Sequence, residues 1–237
     1  MKTKNIKMKT VLALATLLLI TGCGNKELVK NYDNMKIGGD GIKGYILELR
    51  IYGIQDKVKI NSIVRITNYN NEEYKIVKHV STRSDNASGN NNPGNITSGN
   101  DSGSNEITTY IKNNKVYTAD DKGTYAVTKE DISYKNPAIY LEGLNNLSSL
   151  DKGKETTVGE TKYTLYKATF KKEIMSEIVA DTVLKGMKIE KDVEGEVYID
   201  SKGYVYRIIY NLGDVTINAN YFSINNVKAI SFPSEAQ

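Results

Sequence analysis

The sequence predicts an α+β fold in which antiparallel strands form one sheet and about two helices pack on one of its faces. Most segments after residue 42 alternate apolar and polar residues, which is typical of strands with one buried face. Turn signals built on Gly, Asn and Asp separate these segments at short intervals. Two segments instead repeat their apolar residues at helical spacing. One-sided alternation favours antiparallel pairing, because strands of parallel sheets are usually buried on both faces.

The first 22 residues have the three parts of an export signal. A basic start is followed by an apolar run from Val11 to Ile20 and by the small residues Thr21 and Gly22. The run is about ten residues long, roughly half of the ~20 that a membrane-spanning helix needs. Residues 1–22 are therefore predicted to be a cleaved signal peptide rather than a retained span.

The end of this signal, Ile20-Thr21-Gly22-Cys23, resembles the lipobox of bacterial lipoproteins. The resemblance implies cleavage before Cys23 and a thioether-linked diacylglycerol on that cysteine. Two acyl chains make a stable anchor, since each buried methylene contributes about 0.8 kcal/mol. The predicted location is therefore the extracytoplasmic face of the cell membrane. A plain secretory peptide with an incidental cysteine is the alternative.

Cysteine usage and charge exclude several classes of function. Cys23 is the only cysteine, so the exported body has no disulfide, cysteine metal site or cysteine nucleophile. The lysines of the basic start account for the whole formal charge of +4, so the cleaved chain is close to neutral. Nucleic acid is therefore not an expected partner. About 215 residues remain after cleavage, enough for one domain with a sizeable core.

Two polar segments are set apart from the single domain predicted over residues 42–237. Residues 23–41 are polar and contain several glycines, which predicts a flexible tether. Residues 81–105 consist almost entirely of Ser, Asn, Gly, Asp and Thr, which predicts a disordered insertion between two strands. Calcium ligation there, by Asp85, Asp101 and Asn105, is disfavoured because the EF-hand spacing is absent.

Alternation and turn residues place the strands on either side of this insertion. One hairpin or one long strand is predicted over residues 156–170. The other predicted strands cover residues 45–51, 57–66, 73–80, 108–111, 115–119, 124–128, 195–200, 204–212, 215–222 and 227–232.

Two helices are predicted between these strands. Pro137 opens a short one over 137–149, because proline is well tolerated in the first helical turn. The second covers 172–185, with one apolar face and with Gly186 as a stop signal.

The order of strands and helices resembles the half-barrel fold of the LolA and LolB lipoprotein carriers, the RseB-type sensors and the LppX and LprG lipoproteins. The local match lies in the hairpin of residues 194–207, where Gly195, Val197, Ile199, Asp200 and Gly203 fit the pattern G-x-V-x-I-D-x-x-G. It continues in the closing apolar segment, residues 225–233, which ends in a proline.

The resemblance implies a curved sheet whose concave face, covered by the two helices as a lid, holds acyl chains or another apolar ligand. It identifies no ligand-contacting residue in this chain. The polar insertion of residues 81–105 departs from the family pattern.

Residues suited to catalysis are few and poorly placed. His79 is the sole histidine and sits in a predicted strand, where a surface histidine is the commoner explanation. Carboxylate pairs at 72–73, 120–121 and 130–131 lie at strand ends and turns, where solvated charge is usual. No phosphate-binding loop, nucleophile elbow or histidine metal motif occurs, so neither an enzyme nor a cofactor is expected.

Two functions remain open. The first is binding or carriage of a lipid or other apolar ligand, which the fold resemblance and the lipid anchor favour. The second is a structural or interaction role at the cell surface, with contact to cell wall or a partner protein. A row formed by Tyr204, Tyr206 and Tyr210 suits a ligand groove, although tyrosines on a half-buried strand more often serve packing.

Overall fold

The computed structural model describes residues 42–55, 57–70, 72–80, 106–119, 123–128, 133–134 and 136–236. The predicted signal peptide, the lipidation site Cys23, the tether and the insertion of residues 81–105 lie outside these ranges. Within them, no helix has the length and apolar character needed to cross a bilayer.

Eleven antiparallel strands form one curved sheet in the described part of the chain, which confirms the predicted fold class. The spatial order is β6-β5-β4-β3-β2-β1-β11-β10-β9-β8-β7, so β1 and β11 join two meanders. The strands are β1 Gly44–Gln55, β2 Val58–Tyr69, β3 Glu73–Val80, β4 Glu106–Lys112, β5 Lys115–Ala119, β6 Tyr125–Val127, β7 Leu147–Val158, β8 Thr161–Phe170, β9 Val193–Asp200, β10 Val205–Leu212 and β11 Val215–Phe222.

Strand β1 follows the alternation that its sequence predicts. Leu47, Leu49 and Ile51 are fully buried on one face, whereas Glu48 and Arg50 form an ion pair on the other. Burying such an aliphatic side chain contributes about 1.5–3 kcal/mol, so this face fixes the register of the strand. We call the face that carries Leu47 the concave face and the opposite one the convex face.

Two helices pack on the concave face, and both end earlier than predicted. Helix α1 covers Ile139–Glu142 and continues as a 3-10 turn over Gly143–Asn146, after which β7 begins at Leu147 instead of the helix reaching residue 149. Helix α2 covers Lys172–Ala180. Its first N–H group, at Lys172, donates to Asp192, which caps the helix from the following loop.

Helix α2 was predicted to reach residue 185, and Thr182 explains the difference. This side chain is fully buried; its hydroxyl donates to the Val179 carbonyl at 2.8 Å and accepts from the Leu184 N–H at 3.0 Å. A threonine hydroxyl that bonds the local backbone in this way competes with helical hydrogen bonds. The chain therefore leaves the helix and turns Leu184 into the core.

The prediction of a strand over residues 227–232 is wrong. The segment is extended but unpaired, because the neighbouring strands β1 and β11 already pair on both sides. It crosses the convex face instead. Val227 lies beside Gly44, and the Phe232 ring packs on Tyr110 with 5.6 Å between ring centroids.

Candidate functional site

The concave face of the central strands is apolar and buried. Its side chains come from alternate positions of β1, β10 and β11 and are at most 2% exposed. We call this set the packed side; its members are Tyr45, Leu47, Leu49, Ile51, Ile208, Tyr210, Val215, Ile217, Ala219 and Tyr221.

Helices α1 and α2 cover the packed side. They meet at Gly143, where a β-carbon would lie 3.4 Å from Ile178 and 3.5 Å from Ile174. The helices contribute buried apolar side chains to the same core: Ile139, Leu141, Leu144, Ile174, Met175, Ile178 and Val179. In this arrangement the helices act as a lid whose own side chains fill the concave face.

Two tyrosines of the sheet bond the lid through its main chain. The Tyr210 hydroxyl donates to the Tyr140 carbonyl at 3.0 Å, and the Tyr45 hydroxyl donates to the Pro137 carbonyl at 3.4 Å. Burial raises the pKa of both phenols far above the ordinary value, so they stay protonated donors. A hydrogen bond of this kind contributes about 1 kcal/mol net, so these contacts orient the lid more than they lock it.

Other hydroxyls under the lid lack a partner. The side-chain oxygens of Tyr140 and Tyr221 make no hydrogen bond to any described residue, although both side chains are at most 2% exposed. Burial raises their pKa well above the ordinary value. An unsatisfied buried hydroxyl costs about 1–3 kcal/mol, so this interior is less favourable than an apolar core of the same shape.

Toward β6 the concave face is much less covered. Of the concave positions of β4, β5 and β6, Thr109 and Ile111 are buried, and the other four are half-buried or exposed. We call these four, Ile107, Val116, Thr118 and Ala126, the open side. Ile107 is 49% exposed, and Ala126 is exposed. The apolar surface thus continues from the packed side to a region that water reaches.

Two solved structures have a similar fold. The lipoprotein LppX from Mycobacterium tuberculosis matches with a TM-score of 0.50 at 9% identity, over 87% of this chain and 99% of that one. LprF from Mycobacterium bovis matches with a TM-score of 0.51 at 9% identity, over 83% and 91% of the two chains. The body has the LppX-like half-barrel fold. No protein-family model matches the sequence, and no curated protein is significantly similar to it.

The LppX-like half-barrel confirms the resemblance drawn from the order of the elements.

The structure separates the three tyrosines that the predicted alternation placed in one row. A bulge between Val205 and Arg207 turns Tyr206 onto the convex face, where its ring stacks on Tyr163 at 4.4 Å. Tyr210 is buried on the concave face, and Tyr204 lies before the strand. The predicted row is therefore wrong.

The candidate catalytic residues do not form a site in the half-barrel. His79 is exposed on the convex face of β3, opposite Ile63 of β2. Glu73 of the first carboxylate pair lies 3.8 Å from the Lys112 ammonium. The pairs at 120–121 and 130–131 lie outside the described residues. No group of three metal-ligating side chains occurs within the described ranges.

A surface cleft of about 870 Å³ lies between the loop before β9 and the turn that joins β10 to β11. Its apolar wall is short, with Met187, Ile189, Val193 and Leu212, and charged residues surround it. The loop is fixed by Asp192, which accepts from the Ser148 hydroxyl and from the Lys172 N–H; these bonds lower the pKa of its carboxyl. The cleft is open and mixed in character.

Sequence reasoning missed one residue of the concave face, Lys78. Side chains two residues apart on a strand point to the same face, so Lys78 lies on the concave face together with Tyr74 and Ile76. Its ammonium lies 6.0 Å from the centre of the Tyr134 ring. The alternation of β3 indicates in the sequence that Lys78 shares a face with Tyr74 and Ile76. Only the pairing of β3 with its neighbouring strands shows that this face is the concave one.

Proposed function

We propose that the protein is an extracytoplasmic lipoprotein, anchored to the cell membrane by a lipid on Cys23, that binds or carries a lipid or other apolar ligand and has no enzymatic activity. One observation carries this proposal: in an LppX-like half-barrel, a lid of two helices covers a continuous apolar concave face.

The way the lid fills that face favours exchange with an apolar ligand. Helical side chains such as Leu144 and Ile178 make the contacts that acyl chains would make in a loaded protein. A ligand that replaces them offers similar apolar contact, so the free energy difference between the closed and loaded states is small. Two tyrosine hydrogen bonds, from Tyr45 and Tyr210, join the described strands to the lid and would have to break.

The predicted anchor suits this role. Lipidation of Cys23 and the tether of residues 23–41 would keep the half-barrel close to a source of acyl chains. The unpaired hydroxyls of Tyr140 and Tyr221 support the same view, because a core selected only for stability would carry phenylalanine there.

Native mass spectrometry tests the proposal. The mature chain from residue 23, carrying Cys23→Ser so that no lipid is attached, is purified gently from cells and weighed under native and then denaturing conditions. We expect a mass excess that disappears on denaturation and matches an extractable lipid. A bare mass, together with no binding of a fluorescent fatty acid, would contradict lipid carriage.

A surface interaction role is the second candidate, and the convex face supports it. Tyr163 and Tyr206 stack there, Phe222 is 40% exposed beside them, and the Arg207 guanidinium lies 5.3 Å from the Tyr206 ring. Exposed aromatic groups next to arginine are typical of binding surfaces. If this role is correct, the chain will sediment with purified cell wall, and Phe222→Ala will reduce the sedimented fraction.

A further inference from the structure

The boundary between the packed and open sides carries a cluster of hydrogen-bond donors. Ser62 of β2 and Lys78 of β3 are diagonal neighbours on the concave face, since Ser62 pairs with Val80 and Lys78 pairs with Val64. Tyr134 reaches this point from the loop before α1 and lies beside both residues. The backbone N–H of Val183 also faces the Tyr134 hydroxyl.

These groups are buried and poorly satisfied. The Ser62 and Tyr134 hydroxyls lie near each other but make no hydrogen bond of good geometry to a described residue, and the side chains are 5% and 1% exposed. Lys78 is half-buried, and no described carboxylate pairs with its ammonium. Burial lowers its pKa, as expected for a cation that has lost water without gaining a counter-charge.

Two described carboxylates lie in the wider surroundings, and besides burial one of them, Glu142, raises the pKa of Tyr74 on the same face of β3. Asp181 raises the pKa of Tyr134 by its charge, and it accepts the Asn136 N–H at 3.3 Å. It is not among the causes that shift the pKa of Lys78. Lys78 therefore supplies a cationic donor without a paired carboxylate among the described residues, and the Ser62 and Tyr134 hydroxyls can donate beside it, which suits an anion.

The residues on either side of Lys78 indicate what the anion is attached to. Ile107 pairs directly with Lys78 and is 49% exposed, and Ile60 is half-buried on the same face. A free inorganic anion gains nothing from exposed isoleucines, whereas an amphiphile places its chain on them. We infer that Lys78, Ser62 and Tyr134 form a head-group site that binds the carboxylate of a fatty acid whose chain lies on the apolar concave face. This inference rests on the proposed function.

Paired ligands and paired variants test the site. We measure binding to the immobilised mature protein that carries Cys23→Ser. The two radiolabelled ligands are hexadecanoate and hexadecan-1-ol, which share the alkyl chain and differ in head group. We expect about tenfold tighter binding of the acid, as for a charge-assisted hydrogen bond. In Lys78→Met the acid and the alcohol should bind equally.

Lys75→Met is the matched control. Lys75 lies on the same strand but on the convex face, with its ammonium 5.9 Å from the Tyr110 ring, so its surroundings resemble those of Lys78 at a distance from the site. This variant should keep the wild-type preference for the acid. An unchanged preference in Lys78→Met, or an equal loss in Lys75→Met, would overturn the assignment.

Two further outcomes separate this inference from the proposed function. Wild-type protein that binds neither the acid nor the alcohol would contradict lipid binding as a whole. Wild-type protein that binds both equally would leave lipid binding in place and overturn the head-group site. Acetate that binds as tightly as hexadecanoate would assign the cluster to small anions and also overturn it.

Discussion

The packed and open sides belong to the same face of the same sheet, yet they differ in what covers them. Ile217 of β11 has no exposed surface, whereas Ile107 of β4 is 49% exposed. The helices lie over the packed side, and their side chains complete its core. Antiparallel strands built from similar alternating sequences thus serve either as core or as accessible apolar surface, according to what packs on them.

The comparison predicts where stability is concentrated. A fully enclosed aliphatic residue leaves a cavity when truncated, but a half-exposed one does not. The lid therefore stabilises one side of the sheet and leaves the other available for contact with a ligand. The following predictions test this division, beginning with the largest expected effect.

Truncation of matched isoleucines should separate the two sides most clearly. Ile217→Ala should lower the free energy of unfolding by about 2–5 kcal/mol, because it removes buried contacts and leaves a cavity. Ile107→Ala, at an equivalent concave position, should cost less than about 1 kcal/mol. Urea unfolding followed by circular dichroism measures both. Similar losses in the two variants would mean that the open side is covered in solution.

Alkaline pH should unfold the protein through its buried tyrosines. Burial raises the pKa of Tyr134 from 10.0 to about 12. The folded state therefore retains a proton that the unfolded state releases; this stability is complete below pH 10 and is lost as the pH rises to about 12. Because one pKa unit corresponds to about 1.4 kcal/mol, Tyr134→Phe should recover roughly 2 kcal/mol at pH 12.

Absorbance at 295 nm reports the ionisation of the tyrosines directly. The buried fraction of the 17 tyrosines should ionise only together with the loss of circular dichroism. Ionisation of all of them in one phase near pH 10, with the fold intact, would contradict the burial of these residues.

Two tyrosines of the packed side differ in whether the hydroxyl has a hydrogen-bond partner among the described residues. Tyr210→Phe removes the hydrogen bond to the Tyr140 carbonyl and should cost about 1 kcal/mol, with faster amide exchange in residues 139–146. Tyr221→Phe is the control, since its hydroxyl has no partner among the described residues. That change should leave the free energy of unfolding unchanged or raise it. A destabilised Tyr221→Phe would indicate a water-mediated partner.

How far the sequence predicts these features depends on the range of the interactions involved. The alternation of β1 is local, and it correctly predicts Leu47, Leu49 and Ile51 as core residues. The end of α2 depends on the buried hydroxyl of Thr182, whose burial the sequence does not reveal. The closing segment was predicted as a strand because its apolar pattern is strand-like, whereas the strands β1 and β11 beside it are already paired on both sides and offer it no free edge.

The head-group site depends even more on distant contacts. Ser62, Lys78 and Tyr134 come from two strands and a loop, and only the sheet register brings them together. Lys78 alone is one of many lysines in the sequence, so composition gives no reason to select it. Its position after Tyr74 and Ile76 becomes informative once Ile76 is known to be buried.

The smallest expected effect concerns Lys78 in the absence of ligand. Its pKa is lowered below 10.5 by burial, so the folded state disfavours the charged form. Lys78→Met should therefore raise the free energy of unfolding at pH 7 by a few tenths of a kcal/mol, and Lys75→Met should not. The gain should shrink as the pH approaches 10.5, where the wild-type side chain loses its charge in both states. Thermal unfolding at pH 7 and pH 10 measures the difference. A destabilised Lys78→Met at pH 7 would show that the ammonium already has a partner in the ligand-free protein, and Lys78 would then belong to the structural core of the boundary rather than to a site that awaits an anion.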